Sequence, residues 1–165
     1  MQEGFRVRAD EEGNLVPNRN VHVPVGMASS LAYSLYLTRD QQGNDRFLEV
    51  FGGLIGGYWG GRLPDVLEPA NSSMHRAFAH STTTGASLVF GTHIVAQEWA
   101  HFFREKAAHL QQRRRMNSMS EGDLALNRCF EILLRISAGI LPGLMAGYAS
   151  HLALDACTPR SLPLL

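Results

Sequence analysis

Six of the sixteen glycines fall between Gly52 and Gly61, inside the stretch FLEVFGGLIGGYWGG. Gly52, Gly56 and Gly60 stand at i, i+4 and i+8, and Gly53, Gly57 and Gly61 repeat that spacing one residue later. On a helix this produces two adjacent stripes without side chains, along which other backbones can approach closely. Each such glycine costs up to about 1 kcal/mol of helix propensity relative to alanine, so a helix here forms only if neighbours pack onto it. The spacing predicts a tightly packed interior helix, with a membrane-packing helix as the alternative. A phosphate-cradling loop is excluded, because neither GxxxxGK[ST] nor a strand followed by GxGxxG is present.

The flanking segments read as further helices. Residues 1–20 form a polar N-terminal arm, with an alternating piece at Phe5 to Arg8, a DEEGN turn and Leu15-Val16-Pro17, suited to a small hairpin or an irregular arm. Pro24 is tolerated at a helix's first turn, so a first helix is expected from there to the breaker-rich TRDQQGND at 38–45. Asp45 is the expected N-cap of the glycine-striped helix, which ends before Pro64. Residues 62–80 hold two prolines and an Asn-Ser-Ser cluster and read as a long polar loop between helices. A long helix follows from about Thr82 or Gly85 to Met116. Ser120 caps the last helix, with Glu121 and Asp123 at its positive end and a bend or break near Pro142-Gly143. The expectation is an all-α, single compact domain of four to five helices over 21–165, with a long metal-site loop between helices two and three.

Charge and composition narrow the function classes. The 165 residues carry 15 Lys+Arg and 15 Asp+Glu, which argues against a broad cationic surface for nucleic acid. Cys129 and Cys157 form no CxxC pair, so a reduced, cytoplasmic chain is expected. The first twenty residues lack the apolar core of a signal peptide. The uncharged run at 136–150 has fifteen residues and contains Pro142, short of the roughly 20 that cross a bilayer as a helix, so no clean span is expected.

Several side chains are candidates for chemistry. His151 and Asp155 stand four apart, one turn of helix, where two side chains can bind one ion. Asp65, Glu68, His75 and His80 put four potential ligands within sixteen residues. That mixture of carboxylate and imidazole suits zinc, manganese or iron, and the competing reading is an exposed polar loop. His22, just before Pro24, reads on its own as a surface or capping residue. His93, His101 and His109 recur every eight residues, drift around the helix and read as surface histidines. Arg113-Arg114-Arg115 reads as a solvated helix end complementing the helix dipole, with a phosphate or anionic-lipid contact as the lesser alternative. No GxSxG, HExxH or Cys/His nucleophile arrangement occurs.

Three blocks carry a family resemblance. LPDVLE at 63–68, HRAFAHS at 75–81 and GYASHLALDACTPR at 147–160 match in order and spacing the LPD loop, the HR-x3-HS motif and the GY-x2-H-x3-D segment of the YdjM-like family. These are bacterial, membrane-bound, metal-dependent hydrolases, and the resemblance covers nearly the whole chain after the polar arm. It implies an all-helical fold in which Asp65, His75, His80, His151 and Asp155 converge on a metal centre. His22 and Glu68 are further candidates. The chain departs from the family in hydrophobicity: charges run through its helices, which weighs against membrane residence.

The implied chemistry is hydrolysis of a phosphoester of a lipid, nucleotide or nucleic acid, with a divalent metal, zinc foremost, activating water. Glu68 or Asp65 is then the candidate general base, and Arg76 the candidate clamp for a small anionic, phosphate-containing substrate. Nucleic acid is not favoured, while peripheral membrane contact and a homo-oligomer stay open. The alternative is a non-catalytic helical protein with a structural metal or a partner- or membrane-packing role.

Overall fold

The glycine-striped segment is helical and lies at the centre of the packing. The computed structural model describes residues 8–9, 15–16, 19–67 and 82–156. Helix α1 spans Arg19–Leu37, α2 Gly43–Gly60, α3 Leu63–Leu67, α4 Thr82–Met116 and α5 Glu121–Ala156. The fold is all-α, with five helices among the described residues. Ahead of them, β1 (Arg8–Ala9) pairs antiparallel with β2 (Leu15–Val16), in line with the hairpin of the two readings of the arm.

The two glycine stripes serve two different partners. A methyl group added at Gly52, Gly56 or Gly60 would strike the α5 backbone at Ile136, Ile140 or Leu144, so this stripe seats α5. The same test at Gly53 and Gly57 meets Ser34 and Ser30 of α1, and at Gly61 the carbonyl of His22. Because α5 answers with Gly139, Gly143 and Gly147 against α2, the two backbones meet almost without intervening side chains. Helix α1 contributes Gly26, Ser30 and Ser34 to the same seam, with Thr38 just past its end, all buried at i+4 intervals. The Ser30 hydroxyl lies 2.7 Å from the carbonyl oxygens of both Gly26 and Gly143, one donor shared between its own helix and α5.

The rest of the described interior is mostly small or polar, apart from a cluster of Tyr148 and Leu152 with Leu63 packed against it. Helix α4 buries Ala96, Ala100 and Ala107, and Ala138 of α5 is also buried. At the end opposite the α2–α3 junction, charges are paired internally. Arg104 of α4 grips Glu49 of α2 with its Nε 2.9 and 3.0 Å from the two carboxylate oxygens, and Gln41 adds a bond at 2.9 Å. Arg135 meets Asp45 at 2.7 Å, and Arg114 pairs with Glu131. Large apolar side chains point outward instead: Phe47 is 68% and Ile94 64% exposed, while Glu49 is 2% exposed.

Four boundaries differ from the sequence expectation. Helix α1 starts at Arg19, so Pro24 lies inside it. Helix α2 is capped by Gln42, and Asp45 sits in its first turn, where it favours the helix dipole and takes Arg135. Helix α5 runs unbroken through the buried Pro142. The segment after α2 opens with a short helix, α3, instead of a loop. As expected, α4 ends at Met116, and the Ser120 hydroxyl and Asp123 exchange capping bonds at the start of α5.

Candidate metal centre

Four donors meet where α1 begins, α2 ends and α5 finishes. The winding of α2 carries almost directly into α3, with Gly61 N donating to Gly57 O at 2.9 Å, Arg62 N to Trp59 O at 3.0 Å and Val66 N to Arg62 O at 3.1 Å. This junction fixes Asp65 on α3, and the buried Pro64 beside it holds φ and anchors the short helix. Starting α1 five residues before Pro24 turns His22 into an interior helical residue, 5% exposed. The last turns of α5 present His151 and Asp155 on one face.

The geometry is that of a converging donor set. The rings of His22 and His151 stack at 4.0 Å with an interplanar angle of 27°. His151 Nδ1 lies 2.9 Å from the carbonyl oxygen of Gly61. A carbonyl only accepts, so Nδ1 carries the proton, and in the neutral ring Nε2 presents its lone pair. That nitrogen faces Asp155 at 3.4 Å and Asp65 at 3.7 Å, while His22 Nε2 stands 3.6 Å from the other Asp155 oxygen. Ligand atoms of His22, His151 and Asp155 all lie within 4.8 Å of one another.

These spacings exceed ordinary hydrogen bonds. Donors about 2.0–2.2 Å from a tetrahedral zinc stand roughly 3.3–3.6 Å apart; the two separations to Asp155, 3.4 and 3.6 Å, fall in that range and the 3.7 Å between His151 and Asp65 lies just beyond it. The set also fits a divalent ion chemically, since two imidazoles and two carboxylates supply borderline and hard donors together. Burial is uneven. The side chains of His22, His151 and Asp155 are at most 7% exposed, whereas Asp65 is 22% exposed.

His22, Asp65, His151 and Asp155 are thus brought together as the motif reading implied. Glu68, His75, Arg76 and His80 lie outside the described residues. His93, His101 and His109 are exposed on α4, where His93 bonds the Tyr33 hydroxyl at 2.6 Å. The Gly61 carbonyl was not anticipated, although its position at the end of the glycine stripe and just before LPD marks it as the backbone closest to the site.

Comparison with known protein families, curated proteins and solved structures finds no significant match for this chain.

Proposed function

We propose that the chain is a metal-dependent hydrolase of the YdjM-like kind, acting on a phosphoester. The observation that carries this reading is the convergence of His22, His151 and Asp155 from α1 and α5, with ligand atoms within 4.8 Å of one another, and of Asp65 from the short α3, 3.7 Å from His151. A divalent ion held there, zinc foremost, would acidify a bound water toward a pKa of about 7 and offset negative charge on phosphoryl oxygens. The residues do the rest. Gly61 orients His151 through Nδ1, the stacked His22 ring restricts both imidazoles, and Asp155 faces the two of them. Asp65 reaches the site from its open side, where a substrate oxygen would arrive. Glu68 as base and Arg76 as anion clamp belong to the same proposal. A purely structural metal would be sealed by all of its ligands, and the partial exposure of Asp65 favours the catalytic reading.

Membrane association is part of the proposal. Helix α5 is long and apolar enough to cross a membrane: an 18-residue window has mean hydropathy 1.6, and only 33% of it is buried in the protein. A core helix of a water-soluble bundle would be mostly covered.

Elemental analysis of the purified chain tests the centre. We expect stoichiometric divalent metal in the wild type and its loss in His151→Ala, Asp155→Ala and His75→Ala. Metal retained at full occupancy in both His151→Ala and Asp155→Ala would refute the centre.

A further inference from the structure

We infer that the substrate is a membrane lipid phosphoester, cleaved at headgroup depth beside the α2–α3 junction; this rests on the hydrolase reading above and narrows it. Asp65 is the most exposed of the four donors, and the described side chains beside it are those of the α2–α3 junction. Trp59, Arg62 and Val66 stand at i, i+3 and i+7, and the backbone bonds from Arg62 N to Trp59 O and from Val66 N to Arg62 O keep them on one helical stripe. That stripe faces outward: Trp59 is 55% and Val66 61% exposed, with Leu67 beside them at 59%. Arg62 is exposed as well, and its guanidinium lies 5.2 Å from the Tyr58 ring centroid and bonds the Tyr58 hydroxyl.

A rim of this composition is ill suited to a free nucleotide or sugar phosphate, which would meet uncovered tryptophan, valine and leucine. It suits an amphiphile. Tryptophan and tyrosine together with an arginine are the side chains that settle at the boundary between hydrocarbon and headgroups.

The depth agrees. Arg135, in the ion-paired layer at the far end, and His151 stand sixteen residues apart on α5, about 24 Å at the α-helical rise. The intervening stretch carries no charged residue on α5. It is somewhat shorter than the roughly 30 Å hydrocarbon core, so the two polar ends fall near opposite interfaces of a slightly thinned bilayer. A phosphate at headgroup level then lies beside the His/Asp cluster, Arg62 pairs with the anionic headgroup, and the acyl chains run along Trp59, Val66 and Leu67. In the reaction the water oxygen bonds to phosphorus, the bond from phosphorus to the leaving alcohol breaks, and one water proton ends on that alcohol.

The test uses the metal-loaded full chain in mixed detergent micelles. The probes are dioctanoyl phosphatidic acid and dioctanoyl phosphatidylglycerol, their chain-free counterparts glycerol 3-phosphate and glycerophosphoglycerol, and a nucleotide. Each methylene withdrawn from water is worth about four-fold, and the chain-bearing probes share the micelle with the protein while their counterparts stay in water, so kcat/KM for a chain-bearing probe should exceed that of its counterpart at least about 100-fold. Trp59→Ser combined with Val66→Ser should shrink that ratio more than ten-fold, mainly through KM, with metal content unchanged. Leu67→Ser serves as a second variant should the first lose helicity. Equal kcat/KM with and without chains, or a preference for the nucleotide, would overturn the lipid assignment while leaving the hydrolase standing. No turnover of any probe by metal-loaded protein would overturn the hydrolase reading and this inference with it.

Discussion

At the scale of single residues, the backbone contacts of the glycines decide what can be changed. Gly56 is pressed against the α5 backbone at Ile140 and Leu144, neither of which can swing away as a side chain would. Gly56→Ala should therefore destabilise the protein by about 1–3 kcal/mol, the usual cost of overpacking. Gly122, in the first turn of α5, has nothing within 4 Å of its would-be Cβ. There Gly122→Ala should be neutral or stabilise by up to about 1 kcal/mol, through helix propensity and a less flexible unfolded chain. Denaturation midpoints of the two variants under identical conditions check the pair; equal shifts would mean that the α2–α5 contact is looser than described. The glycine repeat made this packing legible in advance, because i, i+4 glycines have few other uses on a helix. His22 was legible only through the motif resemblance. Pro24 reads as a helix start, and that reading leaves His22 outside the helix, whereas the helix actually tolerates the proline and carries His22 inward.

At the scale of elements, the end of α4 and the start of α5 were marked by the chain, while the starts of α1 and α2 and the pairs that lock the helices together were not. Ser120 with Asp123 and the polar NSMS turn gave the α4–α5 hairpin its limits. Pro142 marks a bend or break in the sequence; it is fully buried in a seam lined by Gly139 and Gly143, and the helix is not broken there. Nothing in the sequence distinguishes Glu49 or Glu131, which go inside, from Glu98 or Glu105, which stay out. Burial selects them because an arginine on a neighbouring helix meets each one. Helix α4 is tied to α2 through Glu49 and Arg104, so Arg104→Met should leave the carboxylate buried with Gln41 alone and cost about 3 kcal/mol. Adding Glu49→Gln to that variant should restore most of the loss, because an amide is far cheaper to bury than a charge. A double-mutant cycle on unfolding measures this, and additive losses would show that the two side chains act independently.

At the scale of the whole molecule, many large apolar side chains among the described residues lie outside while small ones fill most of the helix seams. The described interior holds mostly Gly, Ala, Ser, Thr and paired charges beside Tyr148 and Leu152, and the exterior carries Phe47, Phe51, Trp59, Ile94, Phe102, Phe130 and Leu133 among charged residues such as Glu98, Glu105 and Lys106. Water-soluble proteins rarely leave contiguous apolar surface beyond a few hundred Å². In hydrocarbon, large apolar side chains gain nothing by turning inward, and helices associate through small residues and interhelical hydrogen bonds, as α1, α2 and α5 do at Ser30 and the glycine seam. Of the charges that weighed against membrane residence in the sequence, Glu49, Glu131 and Arg135 are buried and paired, whereas Glu98, Glu105, Lys106 and Arg128 are exposed. The chain should therefore sediment with membranes and resist extraction by alkaline carbonate, which strips proteins held by charge alone, and it should need detergent to become monodisperse. Release by carbonate as a monodisperse monomer in plain buffer would contradict this, because so much uncovered Phe, Trp and Ile could not stay dispersed in water. Release as a defined oligomer would assign the apolar exterior to contacts between copies of the chain. It would also remove the bilayer from the picture at the α2–α3 junction, while leaving the His22, Asp65, His151 and Asp155 cluster intact.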